Sequence, residues 1–406
     1  PIRRDVIITA RQALMATRAF STPAREQLRA WLDQAQKRNE RHFNSHLLSE
    51  TPRSPLRVEP VAPEYAPGEP QMVDGRVVLR ENFDRIFASM PEVVTFGEDT
   101  GRLGDVNLGM EGLQKTYGER RIFDTGIREA TILGQGVGMA LRGLRPIAEI
   151  QYLDYLLYCL QGLSDDVATL RYRTRGRQAC PVIVRTRGHR LEGIWHSGSP
   201  MGMILNALRG VHVCVPRNLT EAAGFYNTLL RGDDPGLVIE PLNAYRLKEP
   251  LPLNPGRYTT PLGIPEVVRE GSDVTLVSYG STCNVVESAL PQLDAMGISA
   301  ELVDVRTLLP FDQEHRIADS LAKTGRIVFI DEDVPGGATA YMMQKVLDEQ
   351  GGYSLLDSAP LCITAREHRP AYATDGDYFS KPSVEDVVEK VYGLMRECAP
   401  GRFPEL

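Results

Sequence analysis

Cysteine is scarce and scattered. Six stand in 406 residues, at positions 159, 180, 214, 283, 362 and 398, and the nearest two (159 and 180) are 21 residues apart. That spacing excludes a CxxC pair, a zinc-ligand set and a small-domain disulfide framework. A thiol-reducing interior, the cytoplasm, is the expected location, with the cysteines as core filler. Long apolar runs are also missing: none approaches the ~20 residues that span a bilayer, and residues 1–20 hold no signal-peptide stretch. Nor does positive charge dominate. The 46 Lys and Arg against 53 Asp and Glu leave a formal charge of −7, which disfavours nucleic acid or an anionic membrane as the main partner. What remains is ordinary globular composition, 42% hydrophobic and 24% charged, in a chain long enough for two or three domains of roughly 100–200 residues.

Residues 1–50 read as helices. Thr22 is placed to cap a helix opening on Pro23, and Leu28, Trp31, Leu32 and Ala35 fall on one helical face. Six prolines between 51 and 71 mark a semi-extended linker. From about 73 the grammar changes to short apolar runs alternating with amphipathic stretches. Strands are expected at 92–96, 121–124, 146–151, 182–185, 211–215 and 237–240, with helices at 130–141, 153–172 and 220–230. After a second proline-rich stretch, 250–265, the grammar repeats with strands at 274–279, 300–305 and 326–330 and helices at 283–296, 312–323 and 339–349. Such alternation implies mainly parallel sheets covered by helices. The expected fold is α/β, with an arm and linker at 1–72, one domain at 73–255 and a second at 256–406.

Ligands of parallel α/β sheets bind beyond the carboxyl ends of the strands. In the first domain those ends carry Glu98 and Asp99, then Glu129 after Thr125-Gly126-Ile127-Arg128, then Tyr152, Tyr155 and Tyr158. A polar loop with His189, Trp195 and His196 completes the rim. Carboxylates, aromatics and histidines on one rim suit a flat heteroaromatic ligand. Gly134, Gly136 and Gly138 follow a helical stretch instead of a strand, so close helix packing explains them better than a nucleotide loop.

The run RRIFDTGIRE, with GQGVGMALRGLRPIAEIQYLDY shortly after it, closely resembles the pyrimidine-binding domain of thiamine-diphosphate enzymes. It is most similar to the β subunit of the decarboxylase component of 2-oxo acid dehydrogenase complexes. VVTFGED, YRTRGRQACPVIVR, WHSGSP, DVTLVSYG and AELVDVRTLLPFD extend the resemblance over roughly residues 75–395. It implies transketolase-like pyrimidine-binding and C-terminal domains, and thiamine diphosphate with Mg²⁺ as cofactors. The implied reaction is oxidative decarboxylation of a small 2-oxo acid with acyl transfer to lipoyl, and AEIQYLDY leans toward the branched-chain type over pyruvate.

The resemblance also assigns residues. Glu129 matches the acid that hydrogen-bonds a ring nitrogen of the aminopyrimidine; a carboxyl kept in its acid form can donate there. Tyr155 matches the aromatic packed on that ring, with Tyr152 and Tyr158 lining the same wall and Ile127 beside the acid as a cofactor contact. His196 matches the loop histidine that assists transfer to lipoyl, although the shorter loop lets His189 compete for that role. Glu98 matches an acid near the dimer axis. Gly126 and Arg128 depart from the closer relatives and, with Ile127 and Glu129, spell the Gly-Ile-Arg-Glu of transketolase-like enzymes. That run makes a ketol transferase one alternative, and a non-catalytic assembly module that keeps the fold for partner binding alone is another.

The family holds the diphosphate through a metal bound at a Gly-Asp-Gly motif, and this chain contains none. No metal ligand is therefore assigned here. The resemblance implies that Mg²⁺ and the diphosphate lie mainly on a partner half, a separate α-type subunit or an upstream part of a fused chain. The Pro1 start and the extra residues 1–70 favour the fused chain as the expectation. Two β-like halves are expected to pair in a heterotetramer that docks on a lipoyl acyltransferase core.

Overall fold

The computed structural model describes residues 2–190 and 194–405. The chain begins as a helical hairpin, Arg3–Ala16 and Pro23–Phe43. Thr22 caps the second helix by accepting the Arg25 N–H at 3.3 Å, with Pro23 in the first turn. Ala10, Leu32 and Ala35 are buried where the helices meet, while Trp31 stays partly exposed. Tyr172 Oη donates to the Phe43 carbonyl at 2.7 Å, joining the hairpin to the body. The proline-rich stretch that follows is tied down rather than free: Val61 N–H donates to Thr259 Oγ1 (2.8 Å) and Glu64 N–H to Asn254 Oδ1 (2.9 Å).

The strands are β1 (Met72–Asp74), β2 (Val93–Gly97), β3 (Ile122–Asp124), β4 (Arg145–Ile150), β5 (Ile183–Gly188), β6 (His212–Cys214), β7 (Gly236–Pro241), β8 (Lys248–Pro250), β9 (Glu266–Arg269), β10 (Val274–Ser278), β11 (Ala300–Asp304), β12 (Thr307–Leu309), β13 (Ile327–Ile330) and β14 (Leu361–Ile363). The larger sheet has the order β12-β6-β7-β5-β4-β2-β3 and the smaller β14-β13-β10-β11-β9; β1 and β8 form a separate ribbon. The larger sheet is parallel except at β12, and the smaller except at β9.

Every residue of β2, β4, β5 and β7 is buried, because helices cover both faces. On one face Val93, Ile147 and Ile183 meet the helices Gly75–Ser89 and Leu219–Arg231; on the other Phe96, Ala148 and Val184 meet Glu129–Leu141. The second of these clusters continues without a break into Val277, Val303 and Phe329 of the smaller sheet. The two sheets therefore share one apolar core, which fixes the rim of the first against the loops of the second. No helix among the described residues is long and apolar enough to cross a membrane.

The alternating strands and helices form as expected, with some differences. The helix expected over 153–172 is broken into a 3₁₀ turn Leu153–Tyr158, a single turn, a π-helical segment Leu163–Val167 and a final helix Ala168–Arg173. The helix expected over 339–349 likewise ends in a π-helical segment, Gln344–Glu349. Three-residue β12 follows Arg306 in a left-handed conformation (φ 62°) and joins the other sheet. Gly136 lies in a helix, where an added Cβ would stand 3.0 Å from Val182 Cγ2. Close packing on the sheet explains it, whereas a Cβ at Gly134 or Gly138 would meet nothing within 4 Å, so packing does not account for those two.

Candidate active site

Parallel strands aim their carboxyl ends to one side, and the rim forms there. Glu98 and Asp99 leave β2, and Asp124 at the end of β3 accepts the Gly101 and Arg102 N–H groups (2.6 and 3.0 Å). Beyond it the chain crosses Thr125–Arg128, with Arg128 extended (φ −162°), and enters the helix Glu129–Leu141 at Glu129. An acid in a helix's first turn is favoured by the unpaired N–H groups there. Glu129 is only 9% exposed, and its carboxylate makes no hydrogen bond to the described residues. Its oxygens are not among the fully enclosed atoms that lack a partner, so the carboxylate reaches the open rim and stands accessible there.

The aromatic wall follows β4. In the 3₁₀ turn, residues three apart lie on one side, so Tyr152, Tyr155 and Tyr158 line up. Tyr152 meets Tyr155 edge-on at 5.7 Å, and Tyr158 lies 6.3 Å from Tyr155. Tyr155 Oη lies 2.8 Å from His196 Nε2 in a hydrogen bond, and the His196 ring is 4.3 Å from that of Tyr152. Burial raises the Glu98 carboxyl, and the charges of Asp99 and Glu129 add to the rise. Tyr155 is raised by burial, then by Tyr152, Asp154, Glu98 and Glu129. The Cys159 thiol is pushed up to about 12 by burial with Glu129 beside it. Glu129 is thus a near neighbour of Glu98, Tyr155 and Cys159.

The structure separates the two histidines. His196 stands against Tyr155. His189 is 1% exposed in the junction between the sheets, its ring edge-on to Tyr279 at 5.2 Å and its Nδ1 3.5 Å from Glu332 Oε1. Burial lowers its pKa. Ile127 (74% exposed) and Tyr158 (66% exposed) project at the open edge of the rim. The rim is thus an open surface with a buried acid at its root.

Beneath it lies a set of residues that the sequence reading missed. Arg185 of β5 reaches Glu149 of β4 (2.7 Å), Glu240 of β7 (2.9 Å) and Asp105 (2.9 Å). Arg187 reaches Glu149 (3.0 Å) and Asp105 (3.1 Å), and donates to the Gln151 carbonyl (3.3 Å). Tyr226 and Tyr245 donate to Glu240. All five charged side chains are fully buried. Asp105 also accepts the N–H groups of Asn107 and Gly109 (2.7 and 3.1 Å). The network therefore ties the loop after β2, which begins at Glu98, to the end of β4, where Tyr152 begins. The available signal was the alternation Arg185-Thr186-Arg187 inside an otherwise apolar strand.

A second acidic group, Glu221, Glu266 and Asp304, brings its oxygens within 4.8 Å of one another. Arg217 lies within 3.1, 2.6 and 3.0 Å of these three, and Arg306 pairs with Glu221 and Glu266. The chain's own guanidinium groups already occupy this cluster.

Comparison with known proteins places the two halves of the chain in known domain families. Residues 71–248 match the family model of the transketolase pyrimidine binding domain, and 263–384 that of the transketolase C-terminal domain. The chain is 32% identical over 326 residues to pyruvate dehydrogenase E1 component subunit beta of Acholeplasma laidlawii, covering 80% of this chain and 97% of that one. It is 34% identical over 313 residues to 2-oxoisovalerate dehydrogenase subunit beta of Bacillus subtilis, covering 76% and 92%. A solved structure titled "Split gene transketolase, inactive beta4 tetramer" shares the fold at a TM-score of 0.60 and 18% identity, over 79% of this chain and 98% of that one. The two sheets are therefore of the transketolase type. The chain belongs to the family of E1 beta subunits of 2-oxo acid dehydrogenases.

Proposed function

We propose that this chain is the pyrimidine-binding half of a thiamine-diphosphate-dependent 2-oxo acid decarboxylating dehydrogenase component, acting with a diphosphate-binding partner half. The observation that carries this reading is Glu129: nine-tenths buried, without a hydrogen-bond partner, and opening a helix beside a wall of tyrosines. This donor–acceptor set fits an aminopyrimidine. Glu129 in its acid form donates to a ring nitrogen, and Tyr155 packs on the ring face, a contact worth about 0.5–1.5 kcal/mol beyond area burial. Tyr152, Tyr158 and Ile127 border the ring, and Glu98 extends the acidic chain toward a paired copy. When bound, the cofactor supplies the electron sink for loss of carbon dioxide.

His196, hydrogen-bonded to Tyr155, holds or moves a proton as the acyl group passes to lipoyl. The absence of a Gly-Asp-Gly motif supports Mg²⁺ and the diphosphate being held mainly by the partner half, in a heterotetramer of paired halves. The open rim suits such a shared site. We divide the chain into an arm and linker at 1–72, the pyrimidine-binding domain at 73–255 and a C-terminal domain at 256–406 that pairs the halves and meets the acyltransferase core. The cytoplasm is its compartment.

The AEIQYLDY run supports a branched-chain substrate. Assayed with a diphosphate-binding half, thiamine diphosphate and Mg²⁺, the chain is expected to show a higher kcat/KM for 2-oxoisovalerate than for pyruvate. The reverse ranking contradicts the substrate assignment, and ketol transfer without decarboxylation contradicts the reaction class.

A further inference from the structure

The stretch that carries His196 is gripped by one carboxylate. Asp154, in the 3₁₀ turn directly before Tyr155, accepts the Gly198 N–H on Oδ2 at 2.8 Å. Its Oδ1 accepts from Arg369 Nη1 at 2.7 Å, and the same nitrogen donates to the Ile194 carbonyl at 3.2 Å. Gly198 has no room for a side chain: a Cβ there would stand 2.3 Å from Asp154 Oδ1. On the other side of His196, Trp195 meets Tyr372 edge-on at 6.0 Å. Farther on, Ser199 Oγ donates to Glu332 Oε1 (3.1 Å) and Gly202 N–H to Asp333 Oδ2 (2.9 Å). Arg369, Tyr372, Glu332 and Asp333 all belong to the half of the chain that builds the smaller sheet, whereas Tyr155 belongs to the larger.

We propose that Arg369 and Asp154 form a clamp through which the C-terminal part of the chain holds His196 against Tyr155, making Arg369 a positioning residue for the step His196 serves. The inference rests on the role of His196 proposed above. Arg369 touches Asp154 and the Ile194 carbonyl, so it acts through the backbone on either side of His196. Its side chain is 55% exposed while that of Asp154 is 8% exposed. A half-exposed ion pair adds little to stability, but a small misplacement of a catalytic group is costly to rate. The clamp should therefore register in turnover and hardly at all in folding.

The test compares Arg369→Ala, Arg369→Lys, His196→Ala and the Arg369→Ala/His196→Ala double variant in the chain assembled with its diphosphate-binding half. The Arg369→Ala change is expected to lower kcat by about 10²-fold with KM and melting temperature nearly unchanged. Arg369→Lys should restore part of the loss, and the double variant should be no worse than His196→Ala alone. Trp195 gives a second readout on the chain itself. The sequence holds two tryptophans, so Trp31→Phe leaves Trp195 as the reporter, and adding Arg369→Ala should increase its quenching by acrylamide. Full activity of Arg369→Ala beside an impaired His196→Ala overturns the clamp. An unimpaired His196→Ala overturns the role of His196 instead, so the two failures are distinguishable.

Discussion

Changing Glu129 to Gln is expected to lower turnover by about 10²–10⁴-fold, the range lost when a positioned acid–base group is removed, while the chain still folds and assembles. Gln keeps the size and shape of the side chain and preserves its place at the head of the helix Glu129–Leu141. It cannot present a carboxyl proton to a ring nitrogen. No described residue hydrogen-bonds the Glu129 carboxylate, so the substitution breaks no internal bond and should leave the melting temperature within a few degrees of the parent. Steady-state decarboxylation with an artificial electron acceptor isolates the step. Unaltered turnover would dispose of the mechanism.

The second large effect is on stability. Arg185→Met is expected to cost about 3–5 kcal/mol, because removing one partner leaves buried charge uncompensated. Arg185 contacts Glu149, Glu240 and Asp105, all without solvent exposure, and the single charge left on Arg187 cannot balance three carboxylates. Set against a total stability of roughly 5–15 kcal/mol, the variant should unfold at a far lower urea concentration. Its turnover should fall as well, since the network joins the loop holding Glu98 to the strand leading to Tyr152. Arg4→Ala, which removes a pair that is exposed at both ends, serves as the control and should change nothing measurable. A midpoint for Arg185→Met equal to that control would contradict the structural role of the network.

The fold was largely readable because buried parallel strands appear as uninterrupted apolar runs and the helices between them keep their period. The 130–141 stretch is a helix from Glu129 to Leu141, and the run near 237 is β7. Strand ends were less readable. The strand expected over 182–185 runs on to Gly188 as β5, with Arg185 and Arg187 neutralised inside the sheet. Three-residue strands such as β12 and β14 are too short for any period to show. The tyrosine spacing at 152, 155 and 158 suited a helix or a wall equally, and the 3₁₀ turn resolves it as a wall. Glu129, Tyr155 and His196 could be named from the resemblance, but not the contacts that hold them. Asp154 and Arg369 are 215 positions apart, a pairing that no local pattern encodes.

The central claim is that this chain carries one half of a shared cofactor site. Isothermal calorimetry of thiamine diphosphate with Mg²⁺ tests it most directly, using the chain alone and then mixed with a diphosphate-binding α-type half. Binding only in the mixture is the predicted result. Tight binding by the chain alone would contradict the claim, because it would place a complete diphosphate site within these 406 residues.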